Sequence, residues 1–175
     1  MSIPHPHSRP ANIAASERTF FITASTWEKR NLLQSSRTAE LFFRTIQDYR
    51  AQRKFLLHEF VVMPNHVHLL VTVDIDMTIE RAVQLIKGGF SSQAGKPLGI
   101  QAPFWQKGFS EVRVLHSDGF ENHRRYIHNN PVKAHLVGKA EEYPYSSASQ
   151  TSGLDPMPER LRPAFSAQLY DHLGV

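Results

Sequence analysis

The stretch KFLLHEFVVMPNHVHLLVTV, residues 54–73, decides the fold of this chain. Residues 54–63 and 66–73 are two runs rich in β-branched and aromatic side chains, which favour strands. Between them stand Pro64 and Asn65, two residue types that favour turns. The pattern predicts an antiparallel β-hairpin.

The second strand of this hairpin carries two kinds of side chain. Because side chains alternate along a strand, His66 and His68 project from one face, about 6.5–7 Å apart along the backbone. The opposite face is aliphatic and predicts burial beneath helices; it comprises Val67, Leu69, Val71 and Val73. Two imidazole nitrogens on the other face can converge on one metal ion. The simpler interpretation, polar residues on a half-exposed strand, also fits these two positions alone.

The segments around the hairpin predict the element order β-α-β-β-α-β-α. Strands are expected at 18–26 and 110–116, and amphipathic helices at 38–53, capped by Ser35 or Ser36, and at 77–95. A third helix is expected to start at a capping box of Asp118 and Glu121 and to end or bend at Pro131. The predicted fold class is α+β, a ferredoxin-like or RRM-like β-α-β-β-α-β sandwich with an antiparallel sheet and an added C-terminal helix.

Length and composition indicate one domain. The chain has 175 residues, of which 41% are apolar, enough for a single core. We assign residues 1–17 to a flexible N-terminal arm, 18–145 to the folded domain and 146–175 to a partly ordered tail rich in Pro and Ser.

The composition also limits the chemistry. There is no cysteine, so disulfides and thiolate metal sites are excluded. No signal peptide or membrane span is evident, which predicts a cytoplasmic protein. Twenty Lys and Arg residues against sixteen Asp and Glu residues give a net charge of +4, a mild preference for a polyanionic partner.

The predicted third helix carries a second polar group. Tyr126 and Asn130 are four residues apart, hence on one helix face, which also bears Asn122 and His123. A divalent ion held by two imidazoles and an amide keeps its positive charge and can polarise a phosphodiester oxygen for attack by a phenol. Because thiolates are absent, Mg²⁺ or Mn²⁺ is the expected ion.

Three segments together carry a family resemblance. VVMPNHVHLLV, FWQKGFSEVRV and RRYIHNNPVKAHLV resemble the single-tyrosine HUH transposases, and most of all their REP-associated (RayT) branch. The resemblance runs from about Arg18 to Tyr145. It implies a transposase that binds single-stranded or hairpin DNA, cleaves beside the hairpin through a 5′-phosphotyrosine, and can rejoin strands. Such a protein is expected to associate with the nucleoid.

The resemblance also implies roles for individual residues. Tyr126 corresponds to the nucleophile, and His66 and His68 correspond to metal ligands. Asn130 matches the position of the third ligand, but Asn129 remains an alternative, since Pro131 disfavours helical geometry at the residue before it. The family includes dimers that exchange the tyrosine helix and proteins regarded as monomers, so the expected state is a monomer or a homodimer.

Basic and aromatic residues are candidates for DNA contacts. The basic candidates are Arg124, Arg125, Lys133 and Lys139 around the tyrosine helix, with Lys87 and Lys107 beside the aromatic segment. Trp105, Phe104 and Phe109 can stack on bases, although core packing is the expected use of at least two of them.

Three other functions are weaker matches to the sequence. A histidine-triad hydrolase needs a further alternate histidine where this chain has Leu70, and two-histidine phosphoesterases need His-x-Ser/Thr motifs that are missing. The main alternative is a non-catalytic ferredoxin-like regulator that binds nucleic acid and derives from a transposase. Such a protein is expected to carry aromatic residues on the sheet face where this chain has histidines.

Overall fold

A computed structural model describes residues 17–163, which form a four-stranded sheet with helices on both faces. The residues before 17, which include most of the predicted arm, and those after 163 lie outside the described part. The elements in chain order are β1 (Arg18–Ser25), α1 (Ser36–Ala51), β2 (Leu56–Met63), β3 (His66–Val73), α2 (Ile79–Leu98), β4 (Ser110–Val114) and α3 (Ser117–Lys133).

The sheet has the strand order β2-β3-β1-β4, and every neighbouring pair is antiparallel. The predicted hairpin pairs Met63 with His66, so Pro64 and Asn65 form a two-residue turn. This order and the β-α-β-β-α-β sequence of elements confirm the predicted ferredoxin-like fold.

Two apolar clusters hold the layers together. The larger cluster fills the space between one sheet face and helices α1 and α2, and includes Phe42, Ile46, Val67, Leu69, Val71, Ile86 and Phe90. The smaller cluster lies between the opposite face and α3, and comprises Val61, Met63, Leu70, Val114, Phe120, Ile127 and Leu161. Each fully buried large side chain contributes roughly 1.5–3 kcal/mol of transfer free energy. The aliphatic face of β3 is therefore the buried face that its alternation predicts.

Both predicted ends of the third helix are wrong. The helix begins at Ser117 with His116 as its N-cap, and the Glu121 carboxylate accepts bonds from Arg124, so Asp118 and Glu121 form no capping box. Pro131 does not end the helix, which continues to Lys133. Proline lacks a backbone N–H, so the helix loses only one of its hydrogen-bond donors at Pro131. Pro131 is buried in the last turn of the helix.

The first two helices differ from prediction only in detail. Ser35 caps α1 by accepting a bond from the Thr38 amide, as one of the two expected residues. Helix α2 runs past residue 95 to Leu98 and ends at Gly99, whose φ of +67° is the left-handed conformation that glycine adopts at little cost.

The segment after residue 142 lies along the outer edge of β2. The Val62 amide donates to the Tyr145 carbonyl at 2.8 Å, and the Ser147 amide donates to the Phe60 carbonyl at 2.9 Å. Ser146 and Ser147 are buried. Packing thus continues beyond residue 145, where the sequence suggested a tail. Within residues 17–163, no helix combines the length and the apolar character that crossing a membrane requires.

Candidate active site

The two histidines lie at the start of β3, on the sheet face that α3 covers. In the antiparallel register with β1, His66 stands opposite Ser25 and His68 stands opposite Thr23. Their ring centroids are 4.8 Å apart. His68 is only 4% exposed, so it is not a surface polar residue on a half-exposed strand.

Each imidazole is oriented by a neighbour on one ring nitrogen. His66 Nδ1 lies 2.7 Å from the Asn65 Oδ1 acceptor, and His68 Nδ1 lies 2.8 Å from the Thr23 hydroxyl. When Nδ1 carries the proton, the lone pair is on Nε2, the arrangement common in metal-binding histidines. His68 Nε2 is buried and has no hydrogen-bond partner anywhere in residues 17–163.

Both imidazoles are held neutral at pH 7. Burial lowers the pKa of His66, and the nearby Lys29 charge lowers it further, while the side-chain amide of Asn130 raises it by a smaller amount. Burial, followed by the charges of His66 and Lys29, lowers the pKa of His68 to about 3. A neutral imidazole is the form that binds a metal ion.

Tyr126 faces this histidine pair from α3. Its ring centroid is 5.1 Å from that of His68 and 5.7 Å from that of Phe21, in edge-on contacts. Lys133 Nζ lies 5.5 Å from the Tyr126 centroid. The side chain remains 41% exposed, so the phenol is both placed beside the histidines and accessible to a large substrate.

Asn130 lies one turn after Tyr126, close enough to His66 for its side-chain amide to raise the pKa of that imidazole. The Ala134 amide donates to the Asn130 carbonyl at 3.0 Å, so Asn130 keeps helical geometry despite Pro131. Asn129 is exposed and lies about 100° further round the helix. The structure therefore brings Asn130, rather than Asn129, to the histidines.

Two imidazoles and one amide fit a divalent cation such as Mg²⁺ or Mn²⁺. The buried Nε2 of His68 without a partner is the observation that supports this fit, since a metal would satisfy its lone pair. The described residues contain no group of three His, Cys, Asp or Glu side chains suited to a metal. The side-chain amide of Asn130 is therefore the candidate for the third protein ligand.

The predicted DNA-contact residues fall into two groups. Two of them form bonds within the fold: Arg124 donates to Glu59 at 2.6 Å, and Lys87 donates to the Gln106 and Gly108 carbonyls at 2.8 and 2.9 Å. Arg125, Lys107 and Lys133 are exposed, and Arg125 also donates to Asn122 at 2.7 Å. The exposed residues remain available for phosphate contacts.

The three aromatic candidates pack against the larger core. Trp105 is buried, and its indole N–H donates to the Lys87 carbonyl at 3.2 Å. Phe104 and Phe109 are partly buried against the same cluster. Core packing is therefore the use that the structure gives to these side chains.

Sequence reasoning missed the residues that surround the site. Phe21 stacks on His123 with centroids 4.3 Å apart and on His68 at 5.3 Å. Phe21 and Thr23 alternate with buried Phe20 and Ile22, so period-two alternation in β1 was the available signal. Using that signal requires knowing that β1 is the neighbour of β3.

Comparisons with known proteins give the relatives and the family of this chain. The REP-associated tyrosine transposase of Escherichia coli K12 is 25% identical over 130 residues, covering 74% of this chain and 75% of that protein. A solved REP-associated tyrosine transposase bound to a REP hairpin matches with a TM-score of 0.67 and 22% identity, over 90% of this chain and 95% of the other, which shows a shared fold. The family described as "Transposase IS200 like" matches residues 17–130. This chain therefore belongs to the IS200-like transposase family.

Proposed function

We propose that this chain is a metal-dependent endonuclease and strand transferase of single-stranded DNA, and that it cleaves beside DNA hairpins through a 5′-phosphotyrosine on Tyr126. One observation carries the proposal: an accessible phenol lies 5.1 Å, ring to ring, from a buried histidine whose Nε2 has no hydrogen-bond partner within residues 17–163.

The residues divide the chemistry among them. When bound by His66, His68 and Asn130, a divalent ion supplies positive charge that polarises a phosphodiester oxygen. Tyr126 Oη attacks phosphorus, so the Oη–P bond forms while the bond from phosphorus to the 3′ oxygen breaks. The products are a 5′-phosphotyrosine and a free 3′ hydroxyl. Because the phosphodiester bond energy is retained, the reverse attack by a 3′ hydroxyl rejoins strands.

Hairpin DNA is the proposed substrate because of the chain's relatives and its surface. A transposase of the same fold is bound to a REP hairpin in its solved structure. In this chain, exposed Arg125, Lys107 and Lys133 provide cations suited to a DNA backbone, and Lys133 lies next to Tyr126.

The test is covalent capture of DNA by the full chain. The protein is incubated with Mn²⁺ and a labelled hairpin with single-stranded flanks, then separated under denaturing conditions. We expect a protein–DNA adduct whose mass maps to the Tyr126 peptide. Tyr126→Phe removes only the hydroxyl, so it should form no adduct and bind the hairpin normally.

Matched controls complete the design. Tyr145→Phe removes a phenol at the edge of β2 that packs against the larger apolar cluster. This variant should give the wild-type amount of adduct. A fully paired duplex of the same sequence should not be cleaved. Hairpin binding without any adduct in the wild type would indicate a non-catalytic regulator instead.

A further inference from the structure

The turn after β1 has an unusual backbone. Trp27–Lys29 form a single 3₁₀ turn in which Glu28 and Lys29 have φ values of +51° and +56°. This left-handed conformation is unfavourable for residues with a Cβ atom, and two in succession are rarer still. Such strain persists only where the surrounding structure imposes it, and it clusters at functional sites.

Several bonds from other segments fix this turn. The Trp27 amide donates to the Phe104 carbonyl at 2.9 Å, and the Glu28 amide donates to Gln106 Oε1 at 3.3 Å. The Gln106 amide in turn donates to the Ser25 carbonyl at 2.9 Å. The loop that follows α2 therefore holds the turn in place. The same bonds fix the backbone position from which the Lys29 side chain extends.

The turn brings the Lys29 ammonium to the histidine face of the sheet. Lys29 Nζ donates to Ser25 Oγ at 2.7 Å, and Ser25 stands opposite His66 in the register of β1 and β3. Directly opposed side chains on antiparallel strands have Cβ atoms about 4.5–5.5 Å apart.

The ammonium has donors to spare. An ammonium group has three N–H donors, of which Ser25 accepts one. Across residues 17–163, no carboxylate forms an ion pair with Lys29. The side chain is exposed, so a substrate lying over the histidines reaches it. A fixed cation that has no counter-ion among residues 17–163, beside a site proposed to act on an anion, suits a phosphate oxygen.

We propose that Lys29 is a further catalytic residue, whose ammonium donates a hydrogen bond to a non-bridging oxygen of the scissile phosphate. This rests on the proposed cleavage by Tyr126. As Tyr126 Oη attacks, negative charge grows on the non-bridging oxygens, and a preorganised donor stabilises that charge most in the transition state. Lys29 forms no covalent bond and transfers no proton in this step.

The first test compares single-turnover rates of adduct formation. Lys29→Met keeps the length of the side chain and removes its charge, and should slow the reaction about 100-fold while the thermal unfolding midpoint stays unchanged. Lys29→Arg should recover part of the rate. Lys96→Met removes another exposed lysine, on α2 beyond the opposite sheet face, and should react at the wild-type rate. A wild-type rate in Lys29→Met would overturn the assignment.

The second test needs no cleavage and so separates this proposal from the function it rests on. In the Tyr126→Phe background, a neutral methylphosphonate at the scissile position should weaken hairpin binding about tenfold. With Lys29→Met added, the same replacement should change binding little. An equal loss in both proteins refutes the contact. If the wild type forms no adduct, the cleavage proposal fails and this binding comparison alone decides the role of Lys29.

Discussion

In the buried imidazole ring of His68, one nitrogen has a hydrogen-bond partner and the other has none within residues 17–163. Thr23 occupies Nδ1 at 2.8 Å, while Nε2 has no hydrogen-bond partner in the described structure. A buried polar atom without a partner costs about 1–3 kcal/mol, and such a cost calls for an explanation. A bound cation would provide one, because Nε2 carries a lone pair when the proton is on Nδ1.

A metal ion held by His68 Nε2 predicts a graded series of Mn²⁺ affinities among three variants. His68→Ala should abolish Mn²⁺ binding measured by calorimetry and stop adduct formation, because a ligand is lost. Thr23→Val removes only the orienting hydroxyl and should weaken Mn²⁺ binding about 10–100-fold. His116→Ala removes an exposed histidine whose side chain caps no amide of α3, and should bind Mn²⁺ normally. Unchanged Mn²⁺ binding by His68→Ala would rule out this metal site.

The sequence predicted which residues lie together within one strand or helix, but not which residues meet across two elements. Strand alternation placed His66 and His68 together, and helical spacing placed Tyr126 and Asn130 together. Lys29 and Thr23 could not be linked to them, because that link depends on the register between β1 and β3. Glycine-free left-handed turns such as the one at Lys29 also leave no residue-type signal.

Helix α3 is the element that delivers the phenol, and a buried carboxylate anchors it. Glu59 on β2 accepts hydrogen bonds from Arg124 at 2.6 Å and from His128 at 2.8 Å, one turn apart on the helix. Burial raises the pKa of Glu59, but hydrogen bonds, led by that of His128, outweigh burial and lower it overall. Glu59 is thus ionised in the folded protein. Phe120 and Ile127 add apolar contacts on the same side of the helix.

The anchor predicts a large difference between two conservative substitutions. Glu59→Gln keeps the shape but weakens two charge-assisted bonds, and should lower the free energy of unfolding by about 2 kcal/mol in urea titrations. Glu121→Gln removes the other carboxylate on Arg124, which is 42% exposed, and should cost less than about 0.5 kcal/mol. Equal costs for the two variants would show that the buried bonds do not anchor α3.

The ends of elements were the least predictable part of the fold. Asp118 and Glu121 have the spacing of a capping box, yet Glu121 bonds Arg124 instead, and the N-cap is His116, two residues before Asp118. Pro131 suggested an end because local sterics oppose a helical residue before proline. Pro131 and Ile127 are both buried, and this tertiary packing outweighs the local preference, so that Asn130 stays in the helix.

Over the whole molecule, the central sheet is enclosed on more sides than the sequence indicated. The layer order followed from the alternation of β3 and the apolar faces of two helices. The segment after residue 142 gave no such pattern, because backbone hydrogen bonds to β2, one carboxylate and a few unevenly spaced apolar side chains such as Leu161 hold it. Asp155 accepts two bonds from Arg50, at 2.8 and 2.7 Å, and one from the Leu57 amide at 2.8 Å. Contacts of this kind leave no periodic pattern in the sequence, so they could not be predicted from it.

The Asp155 contact predicts an acid-sensitive contribution to stability. Burial raises the pKa of Asp155, but the Arg50 hydrogen bond and the other contacts outweigh burial, so its pKa in the folded protein lies below the ordinary value of 3.8. A carboxyl with a lowered folded pKa stabilises the protein above its unfolded pKa, and the contribution disappears as pH falls through the folded pKa. Asp155→Asn should therefore lower the free energy of unfolding by about 1–2 kcal/mol at pH 7, and by progressively less below pH 4.

Urea titrations of the wild type and Asp155→Asn from pH 7 down to pH 3 measure this difference directly. Acid-sensitive groups such as Glu59 are present in both proteins and cancel in the difference between the two curves. The buried His58 does not cancel, because the Asp155 charge raises its pKa, so the difference reports the contacts of Asp155 with Arg50, Leu57 and His58 together. Glu159→Gln removes a carboxylate in the same segment that is 89% exposed and lies 3.4 Å from Arg162, and should follow the wild type at every pH. The difference in unfolding free energy between wild type and Asp155→Asn could instead stay constant with pH. In that case the charge of Asp155 does not hold this segment against β2. The hydrogen bond from the Asp155 amide to the Leu57 carbonyl would do so instead.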